Sequence, residues 1–363
     1  MSSKRKVLHI VEAMGGGVFT YIVDFANELV SNYDVYIAYA VRKQTPANYR
    51  EYFDPRIHLI EVKNFGRSIR LAKDIAAYFE VLQLANEIKP DIIHLHSSKA
   101  GAIGRVAFDG KKVPLFYTPH GYSFLMRNTS PVKRKVFRSI ERICGKRACT
   151  TISCSVGEHI ESQKITKRAV YVNNGINTDT LQDCIKGINV DGAHPFSVFT
   201  LGRISDQKNP ELFNRIAMRF PDIRFLWIGD GELRNVLTAG NIEITGWVGR
   251  QEALQYALAC DVFVLTSLWE GLPISLLEAM YMKKICVVSN VIGNRDVIRE
   301  KRNGFVCDEE SEYVNAIQYI RSKDVSSIAE QAHEDILNMY NTKTMTKQLC
   351  RIYETAIKDI GLN

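Results

Sequence analysis

Ser267-Leu268-Trp269-Glu270-Gly271-Leu272-Pro273-Ile274-Ser275-Leu276-Leu277-Glu278-Ala279-Met280 holds a strand end, a broken loop and a helix start. The apolar run Val262–Thr266 before it reads as a buried strand, Gly271 and Pro273 interrupt the backbone, and helical spacing begins near Pro273. Glu270 is therefore expected at a strand tip and Glu278 about a turn inside the helix. The two carboxylates do not form one helical pair. They suit two separate hydroxyl-bearing groups, flanking backbone N–H donors of Ser275 and Leu276 that can hold a phosphate. Taken singly, Glu278 also reads as a first-turn dipole complement and Glu270 as a solvated loop charge.

The same strand-to-helix alternation runs through most of the chain. Strands are expected at Lys6–Val11, Val35–Ala40, His58–Val62, Asp91–His96, Leu115–His120, Thr150–Ser155 and Val170–Asn173, with helical patterns between them at Tyr21–Val30, Ile69–Ile88 and Val132–Cys144. A polar, strand-free stretch from Asn177 to His194 follows. Strands then resume at Phe196–Leu201, Arg224–Ile228, Ile242–Thr245, Val262–Thr266 and Ile285–Ser289, and residues 311–360 read as helical throughout. Two such runs in 363 residues imply an α/β chain of two doubly wound parallel-sheet domains. Their expected extents are 1–185 and 186–345, with a C-terminal helix over 346–363 that can pack back on the first domain. Ligands of open parallel sheets bind beyond the carboxyl ends of the strands. Two sheets facing each other would line one cleft with those tips.

Composition narrows the class. Hydrophobic residues make up 46% and charged residues 24%, which excludes disordered, collagen-like and fibrous chains. No run approaches the roughly 18 apolar residues of a spanning helix, and the basic start Met1–Lys6 lacks the apolar length of a signal peptide. Eight scattered cysteines, with no C-x-x-C pair, read as free thiols in a reducing compartment. The net charge is +7. Between Arg127 and Arg147 lie eight of the basic residues and one acidic residue, Glu141, so this window alone accounts for it. Charge concentrated in one segment, without interleaved aromatics, does not suit nucleic acid.

Other strand tips carry candidate chemistry. Gly15-Gly16-Gly17 follows a strand and precedes a helix, as phosphate loops do, but it is not G-x-G-x-x-G and reads equally as a tight turn. Gly202-Arg203-Ile204-Ser205-Asp206-Gln207-Lys208-Asn209-Pro210 sets two cations beside a helix start, with Asn209 as N-cap and Pro210 in the first turn. A diphosphate is the natural ligand there, the alternative being two solvated side chains. His94 and His96 point to one face of a strand. With no third ligand evident nearby, a structural or cleft-lining role leads over a metal site.

The Glu270–Glu278 spacing, with seven residues between, resembles the E-x7-E motif of retaining glycosyltransferases of the GT-B fold, in which two Rossmann-like domains face each other across a cleft. Within these the chain most resembles family 4, the group of bacterial polysaccharide and lipopolysaccharide sugar transferases. Gly15–Gly17, Thr118-Pro119-His120-Gly121, Arg203 with Lys208, and Glu270–Glu278 match in order along nearly the whole chain. The resemblance implies a nucleotide-sugar donor, UDP favoured over GDP, and a glycan or lipid-linked acceptor. It implies that Arg203 and Lys208 neutralise the donor diphosphate, that Glu270 holds hydroxyls of the transferred sugar, and that Glu278 holds those of the ribose. Ser275 and Leu276 would give N–H groups to phosphate, Gly16 and Gly17 would join the donor site, Trp247 and Val248 would frame the base, and His120 would lie beside the reacting sugar. One departure is Ile292-Gly293-Asn294-Arg295-Asp296, where the family often has Gly-Gly-x-Glu; the acidic role would fall to Asp296.

With two cations and a helix dipole available and no D-x-D pair, neither a metal nor another cofactor is expected. Rival readings are a sugar-nucleotide epimerase or hydrolase of the same architecture, or a nonenzymatic nucleotide-sugar binder. A nicotinamide dehydrogenase fails for lack of the G-x-G-x-x-G and its acidic partner. In the basic segment, Val132, Val136, Phe137, Ile140, Ile143 and Cys144 recur at helical spacing. Arg134, Arg138 and Arg142 lie on another face, beside Lys133, Lys135, Lys146 and Arg147. Residues 127–147 would thus form either a core-packed helix with a solvated basic face or a patch for anionic lipid. The expected location is the cytoplasm, peripheral on the inner face of the cytoplasmic membrane in the second case.

Overall fold

The structure, a computed structural model, describes residues 4–42, 45–66, 70–188 and 195–361. Met1, Ile69, His194 and Asn363, which bound stretches named above, lie outside them. The chain divides into two compact units, residues 1–125 with 129–174 and 342–363, and residues 126–128 with 175–341. The first break thus falls at 174/175 rather than at 185, and the second at 341/342 rather than at 345, where the last helix, Thr342–Asp359, joins the first unit.

The first unit holds β1 (Lys6–Met14), β2 (Asp34–Val41), β3 (His58–Glu61), β4 (Ile92–His96), β5 (Leu115–Thr118), β6 (Thr150–Ser153) and β7 (Ala169–Tyr171), ordered β3-β2-β1-β4-β5-β6-β7. Every pairing is parallel. Central strand β1 is buried on both faces. Val7 and Val11 meet one core with Phe25, while Leu8 and Ile10 meet another with Tyr117. Its sequence is accordingly apolar almost without alternation. The C-terminal helix Thr342–Asp359 completes the first of these cores with Met345, Leu349, Tyr353 and Ile357, four apolar residues on one helical face. Its Glu354 accepts from Arg5 and from Tyr33, both at 2.7 Å.

The second unit holds β8 (Ser197–Leu201), β9 (Arg224–Ile228), β10 (Ile242–Ile244), β11 (Val262–Leu265), β12 (Ile285–Ser289) and β13 (Phe305–Cys307), ordered β10-β9-β8-β11-β12-β13. This too is all parallel. β13 is absent from the sequence reading. In both sheets the order reverses beside the first strand, which opens the crevice where such sheets bind ligands.

The basic helix, Pro131–Cys144, corrects the expectation of one continuous apolar face. Phe137, Glu141 and Cys144 turn inward, while Val132, Val136, Ile140 and Ile143 are exposed. Phe137 packs on the core, and the buried part of the attachment is completed by a polar cluster. Arg105 donates to Glu141 at 2.7 Å, Tyr117 donates to the same carboxylate at 3.0 Å, and the guanidinium lies 4.1 Å from the Tyr117 ring centroid. Among the described residues no helix is long and apolar enough to cross a membrane.

Because Arg105 and Glu141 are both almost fully buried, removing one partner strands the other's charge in a poor dielectric. Glu141→Ala is expected to lower the unfolding free energy by about 3–5 kcal/mol. Urea unfolding of the two proteins checks this, and a loss below about 1 kcal/mol, the range of exposed pairs, would contradict it.

Candidate active site

In the second unit the tips of β8, β9, β11 and β12 bring together most of the residues singled out above. Gly229, at φ +132°, lies so close to the preceding tip that a Cβ there would sit 2.3 Å from the Gly202 carbonyl oxygen. This approach lets Gly202 and Ile204 donate backbone N–H bonds to Ile228 and Asp230, both at 2.9 Å, and so fixes the loop that carries Arg203. Arg203 itself is only loosely engaged, its Nε lying 4.0 Å from Glu232. Asn209 caps the helix Pro210–Met218 by accepting from Leu212 N–H, as its sequence position implied.

Glu270 is not a solvated loop charge. It is buried, and Lys208 Nζ donates to its Oε1 at 2.7 Å, Ser267 Oγ donates to the same oxygen at 2.7 Å, and Gln207 Nε2 donates to Oε2 at 3.2 Å. Half-buried Lys208 and buried Glu270, read separately from sequence, thus form one pair. Glu278 is equally buried and accepts from Arg250 Nη2 at 3.0 Å. Arg250 was missed by sequence reasoning; it opens the helix Arg250–Leu258, directly after the Trp247-Val248 turn. Trp247 is 61% exposed and Val248 half-buried.

The helix Ile274–Tyr281 begins where Pro273 predicted. The Ser275 N–H makes no hydrogen bond among the described residues, whereas that of Leu276 already donates to Pro273 at 3.2 Å. Ser275 is the open anion donor of the two. Behind this loop, Gly293 (φ +85°) approaches Gly271 so closely that a Cβ would stand 2.3 Å from its carbonyl oxygen. Asp296 accepts from the Gly293 N–H at 3.0 Å, so its carboxylate has work in holding this turn.

His120, Gly16 and Gly17 belong to the first unit. Gly16 and Gly17 are exposed at the start of the helix Gly16–Leu29, and Tyr21 on that helix packs edge-on against His120, centroids 4.7 Å apart. His120 adopts φ +54° just past β5. Buried Glu158 secures this turn by accepting from Gly121 N–H at 2.7 Å and from Cys154 N–H at 2.8 Å. No sequence signal marked Glu158, because its partner lies 37 residues away.

The histidine pair also changes meaning. His94 and His96 are fully buried, so neither lines a cleft, and a third imidazole, His9, lies beside them. Parallel pairing of β1 and β4 places His9 opposite His94. His96 bonds His9 (Nε2 to Nδ1) and His120 (Nδ1 to Nε2), both at 3.0 Å. His94 spends its two nitrogens on Tyr353 at 2.5 Å and Thr118 at 2.8 Å. A metal held by His9, His94 and His96 would have to break several of these bonds, so the cluster fits a hydrogen-bonded chain better than a cation. Burial lowers His9 and His120 to about 3, and His94 and His96 well below the usual imidazole value, so all four are neutral at pH 7.

Comparison with known proteins agrees with this fold. Residues 195–322 match the family model described as glycosyl transferases group 1, and residues 15–180 match that of glycosyltransferase family 4. A relative from Escherichia coli, named UDP-Gal:alpha-D-GlcNAc-diphosphoundecaprenol alpha-1,3-galactosyltransferase, is 30% identical over 97% of each chain. Among solved structures, sucrose-phosphate synthase from Thermosynechococcus elongatus superposes with a TM-score of 0.81 at 16% identity, covering 98% of this chain and all of that one. HepE of Anabaena, in complex with UDP and glucose, gives 0.76 at 17% identity, over 97% of this chain and all of its own.

The neutral cluster carries a consequence for stability. Below about pH 6.5 the unfolded chain takes up protons on these imidazoles and the folded one does not, so stability falls as pH falls from there toward about 3. Each fully buried histidine is expected to contribute a slope of about 1.4 kcal/mol per pH unit. Urea unfolding at pH 7.5, 6.5 and 5.5 measures it. His9→Leu is expected to flatten the acid limb by about one such increment, and an unchanged slope would contradict the assignment.

Proposed function

The chain belongs to glycosyltransferase family 4 and has the GT-B fold, and from that premise we propose that it moves a hexosyl unit from a UDP-sugar to a lipid-linked glycan acceptor, with retention of anomeric configuration and without a divalent metal. The product would enter a bacterial cell-surface polysaccharide or lipopolysaccharide. The Escherichia coli relative's name supports the substrate classes, pairing a UDP-sugar with a diphosphoundecaprenol-linked one. One observation carries the site reading: the pair of half-buried Lys208 with buried Glu270, held by Ser267 and Gln207 at the tips of β8 and β11.

In that arrangement the ammonium has three donors and spends one on Glu270, which leaves donors for the diphosphate. Arg203 and the open Ser275 N–H add to the same positive field. Glu270 and Glu278, each fixed by a cation, orient the sugar and ribose hydroxyls, Trp247 and Val248 frame the base, and Gly16 and Gly17 offer backbone to the donor. As the glycosidic C–O bond breaks, charge develops on the leaving diphosphate, where Arg203 and Lys208 stabilise it. The acceptor hydroxyl attacks from the same face and passes its proton to the departing phosphate oxygen, which preserves configuration. Two cations and a helix N-terminus supply the positive charge that a metal would otherwise bring.

The acceptor's lipid gives the exposed stripe Val132, Val136, Ile140 and Ile143 a role. Lys133 on one flank and Lys135 and Arg142 on the other are exposed as well. An apolar stripe between cations suits a helix lying in an anionic membrane surface, at about 1 kcal/mol per cation. We propose that this helix brings the enzyme to its acceptor on the cytoplasmic leaflet.

Incubation of the protein with radiolabelled UDP-galactose and GlcNAc-diphosphoundecaprenol, with and without EDTA, tests transfer directly. An EDTA-resistant product with an α linkage is expected, and hydrolysis without transfer would overturn the proposal. Arg203→Ala and Lys208→Ala should each lower turnover at least tenfold, about 1.4 kcal/mol of transition-state stabilisation; near-normal transfer by both would sink the diphosphate assignment. In liposome flotation, the protein is expected to rise with vesicles rich in anionic lipid at low salt and to be released at high salt. Binding should be lost when Lys133, Arg134 and Lys135 are changed to glutamate, and equal recovery of both proteins, or of neither, would refute the membrane role.

A further inference from the structure

The bonds His9–His96 and His96–His120 form a row of three imidazoles reaching from the core of the first unit to the end of β5. Each neutral imidazole has one N–H and one bare nitrogen. Two hydrogen bonds among three such rings permit only two collective states. Either every ring carries its proton on Nδ1, and the row donates toward His120, or every ring carries it on Nε2, and the row donates toward His9.

The far end decides between them. His9 Nε2 is buried with no hydrogen-bond partner. The rings packed on His9 are Phe25, His94 and His96, and a phenyl face is at most a weak acceptor. In the second state this atom would be a buried N–H without an acceptor, a rarer and costlier arrangement than a buried acceptor without a donor. In the first state it is a bare lone pair, and the surplus N–H appears instead at His120 Nδ1. That atom makes no hydrogen bond among the described residues and belongs to a half-buried side chain.

We propose that His96 and His9 are positioning residues that hold His120 as its Nδ1–H tautomer, so that it presents a hydrogen-bond donor to an oxygen of the sugar undergoing transfer. The tautomer lock stands on the first unit alone. Its use in transfer rests on the reading of His120 as the sugar-facing histidine. A ring free in water would exchange between tautomers; one fixed by the chain meets a sugar hydroxyl or ring oxygen always as donor.

Long-range proton–nitrogen correlation spectra of the full chain, labelled with nitrogen-15 histidine, read the tautomer at pH 7.5 without any activity. His9, His96 and His120 are each expected in the Nδ1–H form. His96→Leu cuts the chain and should leave His120 in a mixture, with kcat down about tenfold. His96→Asn places an amide N–H near the position of the lost Nδ1–H; it should restore the single tautomer and bring kcat within about threefold of the wild type. If His96→Leu fails to fold, His96→Met cuts the same bond and is read in the same way; His9→Leu, which leaves the His96–His120 bond in place and moves the unpartnered buried nitrogen to His96, should keep His120 in the Nδ1–H form. The Nε2–H form of His120 in the wild type, or an unchanged Nδ1–H form when His96 is replaced by an apolar residue, would overturn the proposal. A tautomer that is lost without change in kcat would confirm the lock and refute only the placement of His120 beside the sugar.

Discussion

A parallel sheet covered on both faces leaves charged residues little place except its ends. That constraint governs this chain. The thirteen strands among the described residues run parallel to their neighbours within two sheets, and apart from a few buried polar residues such as His9 and His94 their interiors are mostly Val, Ile, Leu and Phe. The groups capable of chemistry therefore collect at the carboxyl tips, where loops leave each strand and helix N-termini expose N–H donors. Arg203, Lys208 and Glu270 sit at such tips in the second unit, and His120 at one in the first.

Crowding charge at a buried edge has a cost that pairing offsets. Glu270 and Glu278 are almost fully buried, and each has a cation within 3.0 Å. Neither carboxylate is left to bear the desolvation alone, and each retains lone pairs with which to meet a hydroxyl. The Arg105–Glu141 pair solves the same problem for a different purpose: it anchors a helix whose outward stripe is apolar. Helices bound to their unit by apolar contact bury that stripe. This one is fastened through Glu141 with Phe137 and Cys144, and its larger apolar stripe stays exposed.

Histidine at the first sheet follows the opposite course. Rather than pairing charge, burial removes it, and neutral imidazoles satisfy one another through a row of single protons. Beside this row, His94 is bonded instead by Tyr353 of the C-terminal helix at 2.5 Å. The last helix therefore contributes to the same interior as the first strand, although 344 residues separate Tyr353 from His9.

What could be read from the sequence is what lies within one local element. Glu270, Ser275 and Glu278 fall in a single strand–loop–helix passage, whose glycine, proline and apolar spacing dictate which residue occupies the tip and which the helix. Asn209 and Pro210 announce a helix start in the same way. The partners of these residues were invisible because they arrive from elsewhere: Arg250 is 28 residues from Glu278, Glu158 is 37 from Gly121, and His9 is 87 from His96. Nothing in local spacing says that β1 and β4 are neighbours; that follows from the order in which strands are laid into a sheet. Local sequence determined the elements and the residue types at their tips, since backbone preferences and amphipathic periods act over a few residues. Tertiary structure alone decided which charges neutralise one another and which imidazoles share protons, since those interactions depend on distances across strands that chain proximity does not set.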